Sequence, residues 1–385
     1  MIYLDNNAST KLDSEVAEAM RDAAGLYGNP SSVHREGRRA RRAIEEAREE
    51  VARLLGAAPE EIFFTSGGTE ANAMAIFGPL CSGRARRVVA SGAEHPSVRE
   101  AAERLAREGF EVVRIDPDPS GVLDAGRVLE AAGPGSVLVT VMTANNEYGG
   151  LFPIPALAPA LRERGVLFHT DAVQAAGRIP LDVRSWGVDL AAISAHKFHG
   201  PKGAGALFVR KGVQLSAHTP GGGQEKKIRA GTENTAGIVG LGVAARLARE
   251  RLGEADGVAA LRDRLETGIL SRVDGSRAVG GGGPRLPNTS AILFERCSAE
   301  ALLIRLDLEG VAASAGSACS SGTLAPSPAI LSLGLSRSEA KSVIRFSLSR
   351  LTTEDEINAS IEIVARAAGE ARVRQGHTPD ASRLP

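Results

Sequence analysis

A lysine that leaves an apolar strand and enters a glycine-rich loop is well placed to react with a carbonyl group. The run Leu190-Ala-Ala-Ile-Ser-Ala-His-Lys-Phe-His-Gly-Pro-Lys-Gly-Ala-Gly205 supplies one at Lys197, next to Ser194 and His196. An amine forms an imine with an aldehyde only when unprotonated, and a desolvated, cation-rich pocket lowers a lysine pKa toward that state. Lys202 lacks the strand-end position. Either lysine taken alone would by default be solvated at the surface. His196 and His199 have no third ligand nearby in sequence, so no metal is expected.

Three further segments carry candidate chemistry. In Val166-Leu-Phe-His-Thr-Asp-Ala-Val-Gln174 an acidic residue ends an apolar strand, at the edge where open α/β sheets place their ligands. Asp171 can there meet a cationic ring nitrogen or, as the simpler alternative, cap a helix. Ile62-Phe-Phe-Thr-Ser-Gly-Gly-Thr-Glu-Ala-Asn72 reads as a strand, a glycine turn and a helix whose free N–H groups suit a phosphate, although the lysine of a nucleotide P-loop is missing. Gly316-Ser-Ala-Cys-Ser-Ser-Gly322 sets the Cys319 thiol among small and hydroxylated residues, as an exposed loop would, and makes it the candidate nucleophile. Cys81 and Cys297 receive no role, since most free cysteines are small buried hydrophobes.

The elements that must position these groups follow from periodicity. Ala40, Ile44, Ala47, Val51 and Leu54 recur at helical spacing amid Arg and Glu, predicting an amphipathic helix with a solvated charged face. Short β-prone runs at Arg87 to Ala90, Glu111 to Ile115, Ser136 to Met142, Val166 to His169 and Leu190 to Ser194 alternate with helical stretches, which predicts an α/β fold with a mostly parallel, helix-covered sheet. From about Glu254 the pattern becomes a long helix, a turn at Gly280 to Gly283, a strand at Ser290 to Phe294 and a helix-rich tail, predicting a smaller α+β domain. The expected division is 15–255 for the large domain and 1–14 with 256–385 for the small one. The end after Arg372 reads as a loosely held tail.

Composition narrows the function. The 385 residues are 43% hydrophobic, enough for more than one core, and the 46 basic residues balance the 46 acidic ones. Overall charge therefore gives no reason to expect a nucleic-acid or membrane partner. The N-terminus shows no basic leader followed by an apolar stretch, and no segment is apolar for long enough to cross a bilayer, so a cytoplasmic protein is expected. The three cysteines form neither a disulfide framework nor a zinc pattern.

Taken in order, Tyr3-Leu-Asp-Asn-Asn-Ala8, Gly28-Asn-Pro-Ser-Ser32, the Thr-Ser-Gly-Gly-Thr-Glu run ending at Glu70, Glu94-His95, Asn145-Asn-Glu147, Ser194-Ala-His-Lys197, Gly221-Gly-Gly-Gln-Glu225, Arg229-Ala-Gly-Thr232 and Ser317-Ala-Cys-Ser320 form a dense series. Through it the chain resembles the group I cysteine desulfurases of the NifS/IscS type, in the class V aminotransferase family of pyridoxal 5'-phosphate (PLP) enzymes, from its first strand to nearly its last helix. The resemblance implies fold type I. It implies that Lys197 holds PLP covalently, that Asp171 pairs with the protonated ring nitrogen, and that His95 stacks on the ring with Gln174 near the phenolic oxygen and Asn146 beside it. Phosphate contacts are implied for Gly68, Thr69, Ser194 and His196, and Thr232 is implied to reach the phosphate of a neighbouring subunit in a homodimer with shared sites.

Arg345 and Asn29 are implied to receive the substrate carboxylate, a task suited to a forked guanidinium. The implied reaction converts L-cysteine to L-alanine, with Lys197 deprotonating Cα and Cys319 keeping the sulfur as a persulfide for an acceptor protein, in iron-sulfur cluster assembly or thiolation. His95 is implied either to carry protons or only to stack and orient. Alternatives are selenocysteine lysis or another PLP reaction on the same fold, and a catalytically silent sulfur-carrier or scaffold partner, against which Lys197 and Asp171 speak. Lys226-Lys227 and Tyr148 depart from the usual family pattern, and the stretch after Arg372 does not resemble the scaffold-docking tail of the housekeeping branch.

Overall fold

The computed structural model describes residues 1–81, 86–316 and 326–375. Its main sheet contains β1 (Ile62–Thr65), β2 (Arg87–Ser91), β3 (Glu111–Ile115), β4 (Ser136–Thr140), β5 (Leu167–Asp171), β6 (Leu190–Ser194) and β7 (Gly205–Val209). The strands lie side by side in the order β1-β7-β6-β5-β4-β2-β3. Strands β6, β5, β4, β2 and β3 pair in parallel, while β7 runs against both β6 and β1. The reversal has a simple cause: the loop 195–204 is too short for a parallel crossover, which takes a dozen or more residues. Apart from that strand the sheet is parallel, as expected. Strands β1, β6 and β7 are buried at every residue, so their composition is apolar without alternation, as helix cover on both faces requires.

Several strand ends differ from the sequence reading, and two of the differences shape the site. Strand β4 stops at Thr140 and not at Met142, whose N–H donates to Glu94 Oε1 at 2.7 Å. Strand β5 continues to Asp171, because His169, Thr170 and Asp171 pair with Leu190, Ala191 and Ala192. The predicted amphipathic helix spans Arg35–Leu55 and buries Ala40, Ile44, Ala47, Val51 and Leu54. It lies on helix Thr235–Glu250 so closely that a Cβ on Gly242 would stand 2.6 Å from the Ala47 Cα.

A second sheet holds β8 (Ser276–Ala278), β9 (Thr289–Phe294) and β10 (Val343–Ser347), antiparallel with β9 in the centre. Helices Ala255–Leu270, Ala299–Leu308 and Glu354–Gln375 contribute Leu265, Leu302 and Ile357 to a core with Ile292, Phe294, Ile344 and Phe346. Leu4 joins the same core, because Ile2–Tyr3 pairs with Val311–Ala312. The last helix runs to Gln375, past the Arg372 where a loose tail was expected to begin. Among the described residues no helix is long and apolar enough to cross a membrane.

Candidate functional site

The carboxyl ends of β1, β2, β4, β5 and β6 meet along one edge of the main sheet, the usual ligand edge of an open α/β sheet. From β1 the chain turns at Gly67 into helix Gly68–Phe77, and from β2 it reaches His95 at the start of helix Pro96–Arg107. β5 delivers Asp171, and β6 delivers Ser194, His196 and Lys197. These groups line one cavity of about 180 Å³, which also takes in Gly68, Thr69, Asn146, Gln174 and Arg345. Close approach explains the glycines: a Cβ on Gly68 would lie 2.8 Å from the Val173 side chain, and one on Gly205 2.7 Å from the Gly67 Cα.

Asp171 lines the cavity and closes a turn rather than capping a helix. Its Oδ1 accepts from the Val173 N–H at 3.0 Å, closing the turn, while Oδ2 faces the cavity lining and accepts from Asn72 Nδ2 at 2.7 Å. Asn72 Nδ2 also donates to Ser97 Oγ at 2.9 Å, and that hydroxyl lies 2.8 Å from His95 Nδ1. The Ser97 N–H reaches the same Nδ1 at 3.1 Å, so His95 caps its own helix. Burial pushes the His95 imidazole below its ordinary value; Asp171 opposes this, and Lys197 and Arg99 add to it. Burial, followed by Lys197, Lys202 and Arg178, brings His196 down to about 4.

Lys197 Nζ donates to the carbonyls of Asn7 at 2.6 Å and Ala8 at 2.9 Å, which ties the reactive amine to the N-terminal segment. Gln174 Nε2 holds the same Asn7 carbonyl at 3.0 Å, and Asn7 Nδ2 reaches the Asn146 carbonyl at 3.0 Å. Arg345, in the middle of β10, is 2% exposed, yet it lines the cavity. Its Nη1 donates to the Asn146 carbonyl at 3.0 Å and its Nη2 to Asp5 Oδ1 at 2.7 Å, while Nε is buried without a partner. Two sheets therefore meet at this cavity, one bringing a lysine and an aspartate, the other a guanidinium.

Two predicted residues stand elsewhere. Thr232 is exposed and lines a different cavity, beside Ser66 and Arg229. Asn29 is exposed and closes a local turn, its Oδ1 accepting from the Ser31 N–H at 2.9 Å. Cys319 lies outside the described residues. Cys297 is buried, as the reading without a role requires. Asn72, Ser97 and Asn7 line the cavity but were not singled out by sequence reasoning. Asn72 and Asn7 sit inside quoted motifs, so a signal existed, whereas Ser97, two residues past His95, gives none.

Residues 2–359 match the family model described as aminotransferase class-V. A cysteine desulfurase of Enterobacter agglomerans is 46% identical over 372 residues, covering 95% of this chain and 93% of that one. The cysteine desulfurase NifS of Azotobacter vinelandii is 42% identical over 375 residues, covering 96% and 93%. Among solved structures, a NifS-like protein from Rickettsia africae superposes with a TM-score of 0.87 at 33% identity, covering 96% and 99%. The chain belongs to the class-V aminotransferase family, in its NifS/IscS-type cysteine desulfurase branch, and is a PLP-dependent enzyme of fold type I.

The cavity fits that cofactor. The N-cap residue Gly67 supplies no side-chain cap, which leaves the first N–H groups of helix Gly68–Phe77 for an anion, beside Ser194 and His196. Asp171 sits across the same lining to balance a cationic ring, and Asn72 Oδ1 is a buried acceptor with no partner.

Proposed function

We propose that the cavity between the two sheets takes L-cysteine, converts it to L-alanine and leaves the sulfur on Cys319 as a persulfide for an acceptor protein. The observation that carries the reading is that Lys197, Asp171 and Arg345, from distant parts of the chain, line one cavity. Bound PLP supplies an aldehyde and a ring that draws electrons away from the carbon bearing the amino group.

Around it, Asp171 would keep the ring nitrogen protonated, and Gly68, Thr69, Ser194 and His196 would hold the phosphate. Gln174, Asn146 and His95 border the ring. Lys197 would hold the cofactor through Nζ, and the same Nζ, as a free amine, would take the proton from the substrate Cα. Arg345 receives the substrate carboxylate, and its buried, unpartnered Nε supports that role. The Cys319 thiolate then attacks the substrate sulfur: an S–S bond forms, the C–S bond breaks, and the carbon skeleton is reprotonated to alanine.

The active unit in this reading is a homodimer in which Thr232, and Asn29 with it, serves the cavity of a second copy. In support, both are exposed away from their own cavity, and Tyr27 and Val33, flanking Asn29, are 82% and 87% exposed. We also propose a large domain at 15–255 and a small one at 1–14 with 256–385, supported by the packing of Leu4 in the second core, and a cytoplasmic location. Iron-sulfur cluster assembly or thiolation would consume the persulfide.

The test is to incubate the protein with PLP and cysteine, quantify alanine and map Cys319 by mass spectrometry. One added sulfur on Cys319, lost in Cys319→Ala together with alanine formation, is expected. Full alanine production by Cys319→Ala would overturn the persulfide route.

A further inference from the structure

The sequence leaves His95 with two roles, proton carrier or orienting ring, and the hydrogen bonds at its Nδ1 decide between them. A backbone N–H can only donate, so the Ser97 N–H, 3.1 Å from Nδ1, favours a lone pair there. The Ser97 hydroxyl, 2.8 Å from the same nitrogen, is oriented in turn. Its oxygen accepts from Asn72 Nδ2 at 2.9 Å, which leaves its proton for Nδ1. The Asn72 amide is not free to rotate, because Asp171 Oδ2, 2.7 Å from Nδ2, accepts only from the nitrogen end. A fixed chain of donors thus runs from the Asp171 carboxylate through Asn72 and Ser97 to one nitrogen of the ring.

We infer that Asn72 and Ser97 are positioning residues that hold neutral His95 with its proton on Nε2, so that the ring offers the cavity a hydrogen-bond donor and not a base. This rests on the functional reading above and deepens it, since proton removal at Cα then falls to Lys197 alone. Nε2 makes no hydrogen bond among the described residues, so the donor remains available to whatever the cavity holds. The charged groups that act on the ring are Asp171, Lys197 and Arg99. The N-terminus of helix Pro96–Arg107 also disfavours a positive charge at this point, which keeps the ring neutral.

Nitrogen NMR of protein labelled with ¹⁵N only in histidine separates a nitrogen that carries a proton from one that carries a lone pair. The protein has 7 histidines, and His95 is assigned by the signal lost in His95→Gln. The spectrum is recorded before and after PLP is added. In the wild type at neutral pH, Nε2 is expected to carry the proton and Nδ1 the lone pair. Asn72→Ala and Ser97→Ala should each mix the two tautomers, while Ser97→Thr, which keeps the hydroxyl, should restore the wild-type pattern.

A wild-type ring protonated on Nδ1 overturns the inference, as does an unchanged tautomer in both alanine variants. Failure to take up PLP would instead defeat the functional reading, and is seen separately as the absence of its visible absorption. The Cα deprotonation rate, followed as loss of deuterium from Cα-deuterated cysteine, should keep its pH profile in Ser97→Ala. A profile in which the limb from the base moves with this variant overturns the assignment of the base to Lys197.

Discussion

Replacing Arg345 by lysine keeps a positive charge at the cavity and removes the planar fork. In the protein Nη1 holds the Asn146 carbonyl at 3.0 Å, Nη2 holds Asp5 at 2.7 Å, and the buried Nε is left for the substrate. A lysine ammonium is a compact point charge; it can remain with Asp5 but cannot reproduce the fork toward a carboxylate. The loss is then one hydrogen bond to a charged group, about 1.5–3 kcal/mol. That corresponds to a rise of about 10- to 150-fold in the KM for cysteine. Because the contact forms in the ground state and persists, kcat should change by less than about threefold.

The assay is steady-state alanine formation against cysteine concentration, with thermal melting to verify folding. Asp5→Asn is the control, since it weakens the ion pair, leaves the guanidinium in place and should move KM far less. A KM for Arg345→Lys within about threefold of wild type, or a loss confined to kcat, would refute the assignment.

Other substitutions probe the surroundings. Asp171→Asn can still accept the Val173 N–H at the Oδ1 position, so folding should hold while alanine formation falls by about 10²- to 10³-fold; activity within threefold of wild type contradicts the role of the carboxylate. Burial, with Asp171 adding to it, pushes the Glu94 carboxyl up to about 8, above its ordinary 4.5. The folded state therefore holds this proton more tightly than the unfolded chain, and its stabilising contribution is complete below about pH 4.5 and lost as pH rises through about 8. Urea unfolding should show Glu94→Gln gaining on wild type as pH rises across that window, and a pH-independent difference would contradict it. Glu225 receives Arg48 Nη2 at 2.8 Å, Arg48 Nη1 at 3.0 Å and the Phe64 N–H at 2.9 Å, all buried. Glu225→Ala should cost about 3–5 kcal/mol in urea unfolding, and a loss below about 1 kcal/mol would show that the pair is not structural.

The fold was legible where one physical signal dominated. Fully buried strands such as Leu190–Ser194 read as apolar runs, and the Arg35–Leu55 helix reads as a stripe of small and branched residues. Neither the strand Gly205–Val209 nor its reversal was read: it follows a glycine-rich loop, and apolar content carries no direction. Strand ends slipped where a side chain takes over a backbone donor, as Glu94 does at Met142. In the site, Gly68, Asp171, Ser194, His196 and Lys197 share one cavity because each lies at or just past the end of a strand at the same sheet edge, whereas Thr232 and Asn29 lie away from it. Ser97 was invisible, since its function depends on a hydroxyl meeting Asn72 from another helix, a contact that no local pattern encodes.

The claim on which everything else depends is that the Lys197 amine, and no other, captures the cofactor aldehyde. Borohydride reduction of the PLP-loaded protein, followed by digestion and mass spectrometry, fixes the attachment point permanently. The reduced cofactor is expected on the peptide containing Lys197, and Lys197→Ala should lose both the adduct and the visible absorption. An adduct on Lys202, or a visible absorption that survives in Lys197→Ala, would contradict the account.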